Sequence, residues 1–423
     1  MKQRYAAAGR ILYYAHDSFG LGHLRRSLAI AEAMSRQPGV SSQLVVTGSP
    51  TPSAFPWPAR TDFVKLPAIT KDAQGAYTSR DLPLSLSEAC RLRSSLLLAA
   101  GQHYAPDLLL VDHSPLGLGG EALPLLRYLK ARRPDCRLVL GLRDVIDAPE
   151  RVRRTWRAEG VYEALADLYD RILVYGDPAM VDVARAYDLP ERAARKLRYV
   201  GYLRRQAGPA PAAWPAAAED RRLLVTAGGG GDAAAFFRLT GEALSLLARR
   251  PISARIVTGP FLPAPARRAL EAACAELPDA RVEDFCPDLA GAMAQADLVV
   301  SMGGYNTTCE ILSTGSRALV LPRSHPRREQ AIRAERLSQL GLVQTAPPEA
   351  TAPADLAARI EALLGGSPPA VRAGGLPLDG LERTCSALGE LLVRRGGAVV
   401  ESPRPEPSAS PRRMASPLFC EGV

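Results

Sequence analysis

His23 closes the turn Gly20-Leu21-Gly22, and the apolar run before that turn ends in His16 and Asp17. An imidazole with a pKa near neutrality can take a proton from a hydroxyl nucleophile. His23 is therefore the candidate catalytic base, with Asp17 and Asp112 as the carboxylates next in line; the alternative is a loop histidine satisfied by backbone. A second constellation runs over 301–330. An apolar strand ends at Ser301, breaks at Gly303-Gly304, enters a helix near Thr307 and stops at Gly315; a further strand follows, and another helix opens near Pro326. A third is the run Gly228 to Gly231 followed by Asp232. Backbone amides at glycine-rich strand-to-helix turns approach an anion closely, and the helix dipole favours negative charge there. A phosphate-bearing ligand is the first expectation.

Each pattern excludes something. The first loop lacks the third glycine of the dinucleotide fingerprint, and the four-glycine run lacks the Lys and Ser/Thr that complete a P-loop. Four adjacent glycines cost backbone entropy on ordering and are hard to justify by packing, so close approach of a phosphate is favoured over a flexible turn. Asp112, His113 and Ser114 lie together, but no GxSxG elbow is present and neighbours on a turn point apart, which argues against a Ser/His/Asp hydrolase. Asp112 and Asp144 read equally as turn or helix-capping carboxylates and as cleft residues.

The elements that must position these residues follow from apolar periodicity. Strands at 10–15, 43–47, 107–111, 137–142 and 171–175 alternate with helices, which predicts a mainly parallel sheet. In the first helix Leu24, Leu28 and Ala31 form the inward stripe, with Arg25, Arg26 and Glu32 on wetter faces. Residues 208–218 are almost entirely Ala and Pro with one Trp, and the linker 208–220 marks the domain boundary. Strands at 221–227, 254–258, 281–285, 297–301 and 318–321 then repeat the architecture. The fold class is α/β, with two doubly wound Rossmann-like domains facing a cleft: 1–207 on the acceptor side and 221–395 on the nucleotide side. The helical stretch 381–395 is expected to return toward the first domain, and 396–423, rich in Pro, Ser and Arg, reads as a disordered tail.

Composition narrows the partners. The net charge of +9 is compatible with nucleic acid, an anionic membrane or a phosphorylated substrate, but aromatics are only 6% and do not interleave with basic residues, which disfavours nucleic acid. Arg151, Arg153, Arg154 and Arg157, with Trp156 among them, read as a solvated helix face or as a docking site for anionic lipid or a phosphorylated acceptor. The seven cysteines are odd in number and form no CxxC pair, so no disulfide framework or zinc site is expected. No run reaches the ~18 apolar residues of a membrane span; the expected location is cytoplasmic, with a peripheral place at the inner membrane face as the alternative.

The Gly20-Leu21-Gly22-His23 loop resembles the glycine-rich turn in the N-terminal domain of GT-B glycosyltransferases. The stretch 284–334 resembles the nucleotide-sugar-binding domain of glycosyltransferase family 28, the family of the peptidoglycan lipid II N-acetylglucosaminyltransferase. The matching parts run in order: the Phe285 strand end, the SMGGYNTTCEIL turn and helix, the Gly315 stop, the LVLPR strand and the EQAIRAERL helix. A set of bacterial glycosyltransferases is similar at the GLGHLRR opening and at 142–144. The resemblance implies that Glu310 binds ribose hydroxyls and that amides around Gly303, Gly304 and Gly229 to Gly231 hold the diphosphate. It implies that Gln330 with Glu329 reads the donor sugar and that His23 lies near the acceptor. Gly20, Gly22, Phe285, Ser301, Asn306, Thr307 and Arg323 complete the implied donor side. Thr307 and Glu310 also have the spacing of a capping box, which would make Glu310 a helix-start residue, and Gln330 would be exposed by default. His325 to Arg328 depart from the acidic or amide-rich loop usual before that Gln, so sugar identity does not carry over. With no DxD triplet, glycine-loop amides, helix N-termini and Arg323 would meet the diphosphate charge, with no metal and no cofactor needed.

The expected function is transfer of a hexose-type sugar from a nucleoside diphosphate donor, a UDP-sugar first, to a hydroxyl acceptor. The rivals are a nucleotide-sugar hydrolase or epimerase of the same fold, and a non-catalytic sugar-nucleotide-binding protein.

Overall fold

The computed structural model describes residues 9–16, 22–71, 77–204, 214, 221–277, 279–366 and 375–393. In the first lobe the strands are β1 (Gly9–Ala15), β2 (Val40–Thr47), β3 (Thr61–Lys65), β4 (Ile69–Lys71), β5 (Tyr77–Ser79), β6 (Leu108–Asp112), β7 (Arg137–Arg143), β8 (Arg171–Tyr175) and β9 (Leu197–Tyr199). Seven of them form one sheet in the order β3-β2-β1-β6-β7-β8-β9, parallel throughout, while β4 and β5 make a separate antiparallel pair. Central strands such as Leu108–Asp112 are buried at every position, because helices cover both faces of a parallel sheet and alternation has no solvent side to serve.

The second lobe repeats the scheme with β10 (Arg221–Thr226), β11 (Ile252–Val257), β12 (Ala280–Glu283), β13 (Leu298–Ser301), β14 (Ala318–Val320) and β15 (Gln344–Thr345). Their order is β12-β11-β10-β13-β14-β15, again parallel. The strands expected from the sequence are all present, with ends displaced by up to a few residues. Those it did not show, β3, β9, β15 and the β4–β5 pair, are short, and β3, β9 and β15 lie at sheet edges. β3 carries Thr, Asp and Lys and is half exposed along its length, so no apolar run marks it.

Both sheets reverse direction of winding beside their first strand, β1 against β6 and β10 against β13. Ligand crevices open beyond the carboxyl ends of strands at such points. The closing helix, Gly380–Val393, returns to the first lobe and packs on the helix Gly22–Ser35. Just before it, Tyr202 N donates to Pro377 O at 2.8 Å and Gly380 N to Tyr202 O at 3.0 Å. Within the expected linker, Trp214 is docked on the second lobe, buried, with Nε1 donating to Ser253 Oγ at 3.0 Å. The expected tail lies outside the described residues. The six described cysteines are free, and no described helix is long and apolar enough to cross a membrane.

Candidate functional site

The helix Gly22–Ser35 starts at the carboxyl edge of β1 and places His23 in its first turn. His23 Nδ1 lies 2.6 Å from Asp112 Oδ2, at the end of β6. Arg26, one turn on, closes the group: Nε donates to Asp112 Oδ1 at 2.7 Å and Nη2 to Asp112 Oδ2 at 2.6 Å. Arg26 is 3% exposed, which corrects its expected place on a wetter face; the carboxylate opposite it makes burial tolerable. Arg26 Nη2 also approaches His23 Nδ1, at 3.2 Å, but the carboxylate is closer and charged, so Nδ1 carries the proton and donates to Asp112. That tautomer leaves the lone pair on Nε2. Burial lowers the His23 pKa below its ordinary 6.5, and Asp112 raises it part of the way back. Burial alone would raise the Asp112 pKa; Arg26 and His23 outweigh it and hold the carboxyl well below the usual range. At neutral pH the group is a neutral imidazole backed by a carboxylate, an arrangement able to accept a proton. Asp112 is thus not a helix cap but the residue that orients His23. Asp17 and Gly20 lie outside the described residues.

Across from this group, a cleft of about 1460 Å³ opens between the lobes. Its lining includes His23, Gly22, Phe285, Gly304, Asn306 and Gln330. The helix Tyr305–Thr314 begins there, capped by Gly304 without any side-chain cap, so its first amides have no partner within the helix. Thr307 lies inside that helix, which removes the capping-box reading of Thr307 and Glu310. Gly303 needs its lack of a side chain: φ is +69° and a Cβ would stand 2.6 Å from Val320 Cγ1. Its amide donates to Ser301 Oγ at 3.2 Å, so Ser301, fully buried, shapes the turn from beneath.

The glycine run after β10 also lines the cleft. Gly228 and Gly230 take positive φ, and a Cβ on Gly230 would collide with Thr258 O. Packing against the neighbouring loop therefore accounts for part of this run, which the sequence made hard to justify by packing. Arg323 stands beside it, its Nη1 2.8 Å from Asp232 Oδ2, and its backbone N donates to Gln330 Oε1 at 3.1 Å. Gln330 is 7% exposed rather than open to solvent, and Glu329 bridges Arg323 and Arg143, with 3.1 Å to Arg143 Nη1. Burial alone would raise the Glu329 pKa, but Arg143 and the other arginines around it lower it.

Glu310 is 1% exposed and accepts from Arg25 Nη2 at 3.0 Å, a bond that joins the two lobes. Asn306 Nδ2 donates to Gly22 O across the same gap, at 3.1 Å. Deeper in the junction, Asp144 and Arg333 form a fully buried bidentate pair, Nη2 to Oδ1 at 2.9 Å, with Tyr202 Oη donating to Asp144 Oδ2 at 2.8 Å. Asp144 is therefore a bolt between lobes. Ser114 Oγ donates to Gly117 O at 2.9 Å and takes no part in a nucleophilic group. In the arginine-rich helix Pro149–Glu159, Trp156 is core, Arg151 Nη1 donates to Pro326 O at 2.5 Å and Arg153 pairs with Asp188. Arg26, Arg143, Arg333, His16 and His113 are the site residues that pattern reading did not assign; polar clusters at strand ends were the signal for three of them, His16, His113 and Arg143. Among the described residues no group of three or more His, Cys, Asp and Glu is placed to hold a metal ion.

Residues 223–369 match the family model described as the glycosyltransferase family 28 C-terminal domain. Curated relatives match over a shorter stretch. The UDP-N-acetylglucosamine--N-acetylmuramyl-(pentapeptide) pyrophosphoryl-undecaprenol N-acetylglucosamine transferase of Haemophilus influenzae (strain PittEE) is 35% identical over 65 residues, 15% of this chain and 18% of the relative. Its counterpart in Aliivibrio fischeri (strain MJ11) is 38% identical over 66 residues, 16% of this chain and 19% of the relative. The chain thus spans under a fifth of either relative's length. Among solved structures, the calicheamicin glycosyltransferase CalG4 superposes with a TM-score of 0.59 at 21% identity, covering 93% of this chain and all of that one. MurG of Acinetobacter baumannii gives 0.58 at 14% identity, covering 90% and 99%. The chain therefore has the two-lobed GT-B glycosyltransferase fold, and its second lobe carries the glycosyltransferase family 28 C-terminal domain.

Proposed function

We propose that the protein transfers a hexose-type sugar from a nucleoside diphosphate donor, a UDP-sugar first among candidates, to a hydroxyl acceptor. The observation that carries this is the placement of the His23–Asp112–Arg26 group on one wall of a cleft whose other wall is built from Gly228 to Gly231 and the N-terminus of the helix Tyr305–Thr314. His23 Nε2 takes the proton of the acceptor hydroxyl as its oxygen forms the bond to the anomeric carbon. The bond from that carbon to the diphosphate breaks, and the nucleoside diphosphate leaves with the electron pair. Charge grows on the leaving oxygen, where helix amides and Arg323 stabilise it without an obligatory divalent ion. Glu329 and Gln330, in the first turn of the helix Glu329–Gln339, would face the donor sugar.

The test is a thermal-shift screen against nucleoside diphosphates and their sugars, since a ligand at a hundred times its Kd stabilises by roughly 2.7 kcal/mol. A shift with a nucleoside diphosphate is expected; none with any of them would overturn the donor assignment. Donor turnover that no added acceptor changes would replace transfer by hydrolysis or epimerisation. Peripheral contact with an anionic membrane is a subordinate proposal, for which vesicle co-sedimentation is the measurement. The buried Trp156 and the engaged Arg151 and Arg153 leave Arg154 and Arg157 as the cations of that helix available to it.

A further inference from the structure

His23 is flanked by two other imidazoles. Its ring centroid lies 4.2 Å from that of His16, at the end of β1, and 5.7 Å from that of His113, just past β6. All three line the cleft. His16 and His113 are 8% and 6% exposed, and Nδ1 of each is sealed from solvent with no hydrogen-bond partner among the described residues. The backbone around them is firmly held. Arg93, itself fully buried, donates from Nη2 to His16 O at 3.0 Å, and His113 N donates to Gly141 O at 2.7 Å. His113 sits at φ +64°, a conformation unfavourable for a residue with a side chain. Backbone strain of this kind persists where the surroundings over-determine it, and it gathers at functional sites.

The sealed Nδ1 atoms fix the chemistry of the two rings. A neutral imidazole carries one N–H and one lone pair. Orphaned buried N–H groups are rarer than under-satisfied acceptors, so the lone pair goes to Nδ1 and the hydrogen to Nε2. Burial lowers the pKa of both rings well below the ordinary 6.5, with Arg143 and His23 adding to the effect at His113, so they are neutral donors at neutral pH. His23 is the opposite tautomer, with Nδ1–H on Asp112 and the lone pair on Nε2. The cleft thus presents one proton acceptor between two neutral donors. An amine nucleophile has a single lone pair, which it must use in attack. An alcohol oxygen keeps a second one, and a neighbouring hydroxyl supplies more.

We propose that His16 and His113 bind the acceptor, donating from Nε2–H to oxygen lone pairs beside the hydroxyl that His23 deprotonates, and that the acceptor is a polyhydroxylated, sugar-type molecule. This rests on the glycosyltransferase reading. Because the donors are uncharged, they orient acceptor oxygens without competing with the diphosphate for charge.

Two measurements test it. The first is ¹⁵N NMR of the imidazoles in the full chain at pH 7, assigned with single His→Gln variants. His16 and His113 are expected as Nε2–H tautomers and His23 as the Nδ1–H tautomer; an Nδ1–H or a charged ring at His16 or His113 overturns the proposal. The second uses the nucleotide sugar that gives a thermal shift, with a panel of methyl glycosides and methyl amino-glycosides as acceptor probes. Transfer to an intact glycoside is expected, with kcat/KM for that glycoside about tenfold lower in His16→Phe and in His113→Phe. Nucleoside diphosphate Kd by calorimetry should stay within twofold, and His16→Gln or His113→Gln, which keep a donor at similar reach, should recover most of the loss. Unchanged acceptor kinetics in the phenylalanine variants, transfer to amino-glycosides alone, or transfer to no probe overturns the proposal while leaving donor binding standing. If the wild-type chain binds no nucleoside diphosphate, the underlying reading has failed instead. Should a phenylalanine variant fail to fold, the tautomer spectrum and the glutamine variant decide.

Discussion

Two neighbours pull the His23 imidazole in opposite directions. Burial makes its charged form costly and Asp112 makes it less so, and burial prevails. As a base His23 must be neutral, so kcat/KM should rise with pH along an acid limb whose midpoint lies below 6.5. In Asp112→Asn the carboxylate that raises this pKa is gone. The limb should move to still lower pH, while the plateau falls on the order of 10²- to 10⁴-fold because the amide no longer selects the Nδ1–H tautomer. A limb that moves upward would show that Asp112 does not set the His23 charge. A second pH effect concerns stability. The folded-state pKa values of His16 and His113 lie below the unfolded value of 6.5, so below that pH the unfolded chain binds more protons. Their contribution is complete above 6.5 and declines as pH falls. Urea midpoints compared at pH 7.5 and 5.5 should show the loss, and His16→Gln with His113→Gln should reduce it.

At the scale of elements, turns and bolts hold the site. Gly303 links β13 to the helix Tyr305–Thr314 at φ +69°, with Val320 where a Cβ would go. Gly303→Ala should cost about 1–3 kcal/mol in stability and weaken nucleotide binding as well, since the helix amides lose their aim; calorimetry with UDP measures the second. The Asp144–Arg333 pair is fully buried. Asp144→Ala strands the Arg333 charge and should cost about 3–5 kcal/mol by denaturant unfolding, whereas Asp144→Leu with Arg333→Met should cost less than either single change. Much of this architecture is legible in the chain. Glycines after apolar runs announce β10, β13 and their turns, because Gly228, Gly230 and Gly303 take a backbone conformation that residues with a side chain rarely adopt. The bolts are not legible, because Arg26 and Arg333 read as surface charge until the fold brings carboxylates 86 and 189 residues away against them. The Thr307–Glu310 spacing misleads for a local reason: the helix starts at Tyr305, so Thr307 comes too late to cap it.

At the scale of the molecule, the two lobes touch at the cleft through the helix Tyr305–Thr314. Glu310, the expected ribose ligand, accepts from Arg25 of the opposite lobe at 3.0 Å, and Asn306 donates to Gly22 O beside it. A ribose that engages Glu310 must compete with Arg25, so donor binding and the lobe junction are coupled, and a coupling of this kind shifts affinity by about fivefold or more. The sign of one substitution decides between two roles. If Glu310 holds the ribose, Arg25→Ala removes a competing partner and should tighten UDP binding about fivefold, while Glu310→Ala weakens it by a similar factor. Simple charge attraction predicts the reverse for Arg25, because removing a cation near a diphosphate should weaken binding. Calorimetric Kd values for UDP in the two variants separate these outcomes. Tightening in Arg25→Ala with weakening in Glu310→Ala makes the junction a latch on the ribose site. Weakening in Arg25→Ala with no change in Glu310→Ala makes Arg25 a diphosphate contact and removes Glu310 from the donor site.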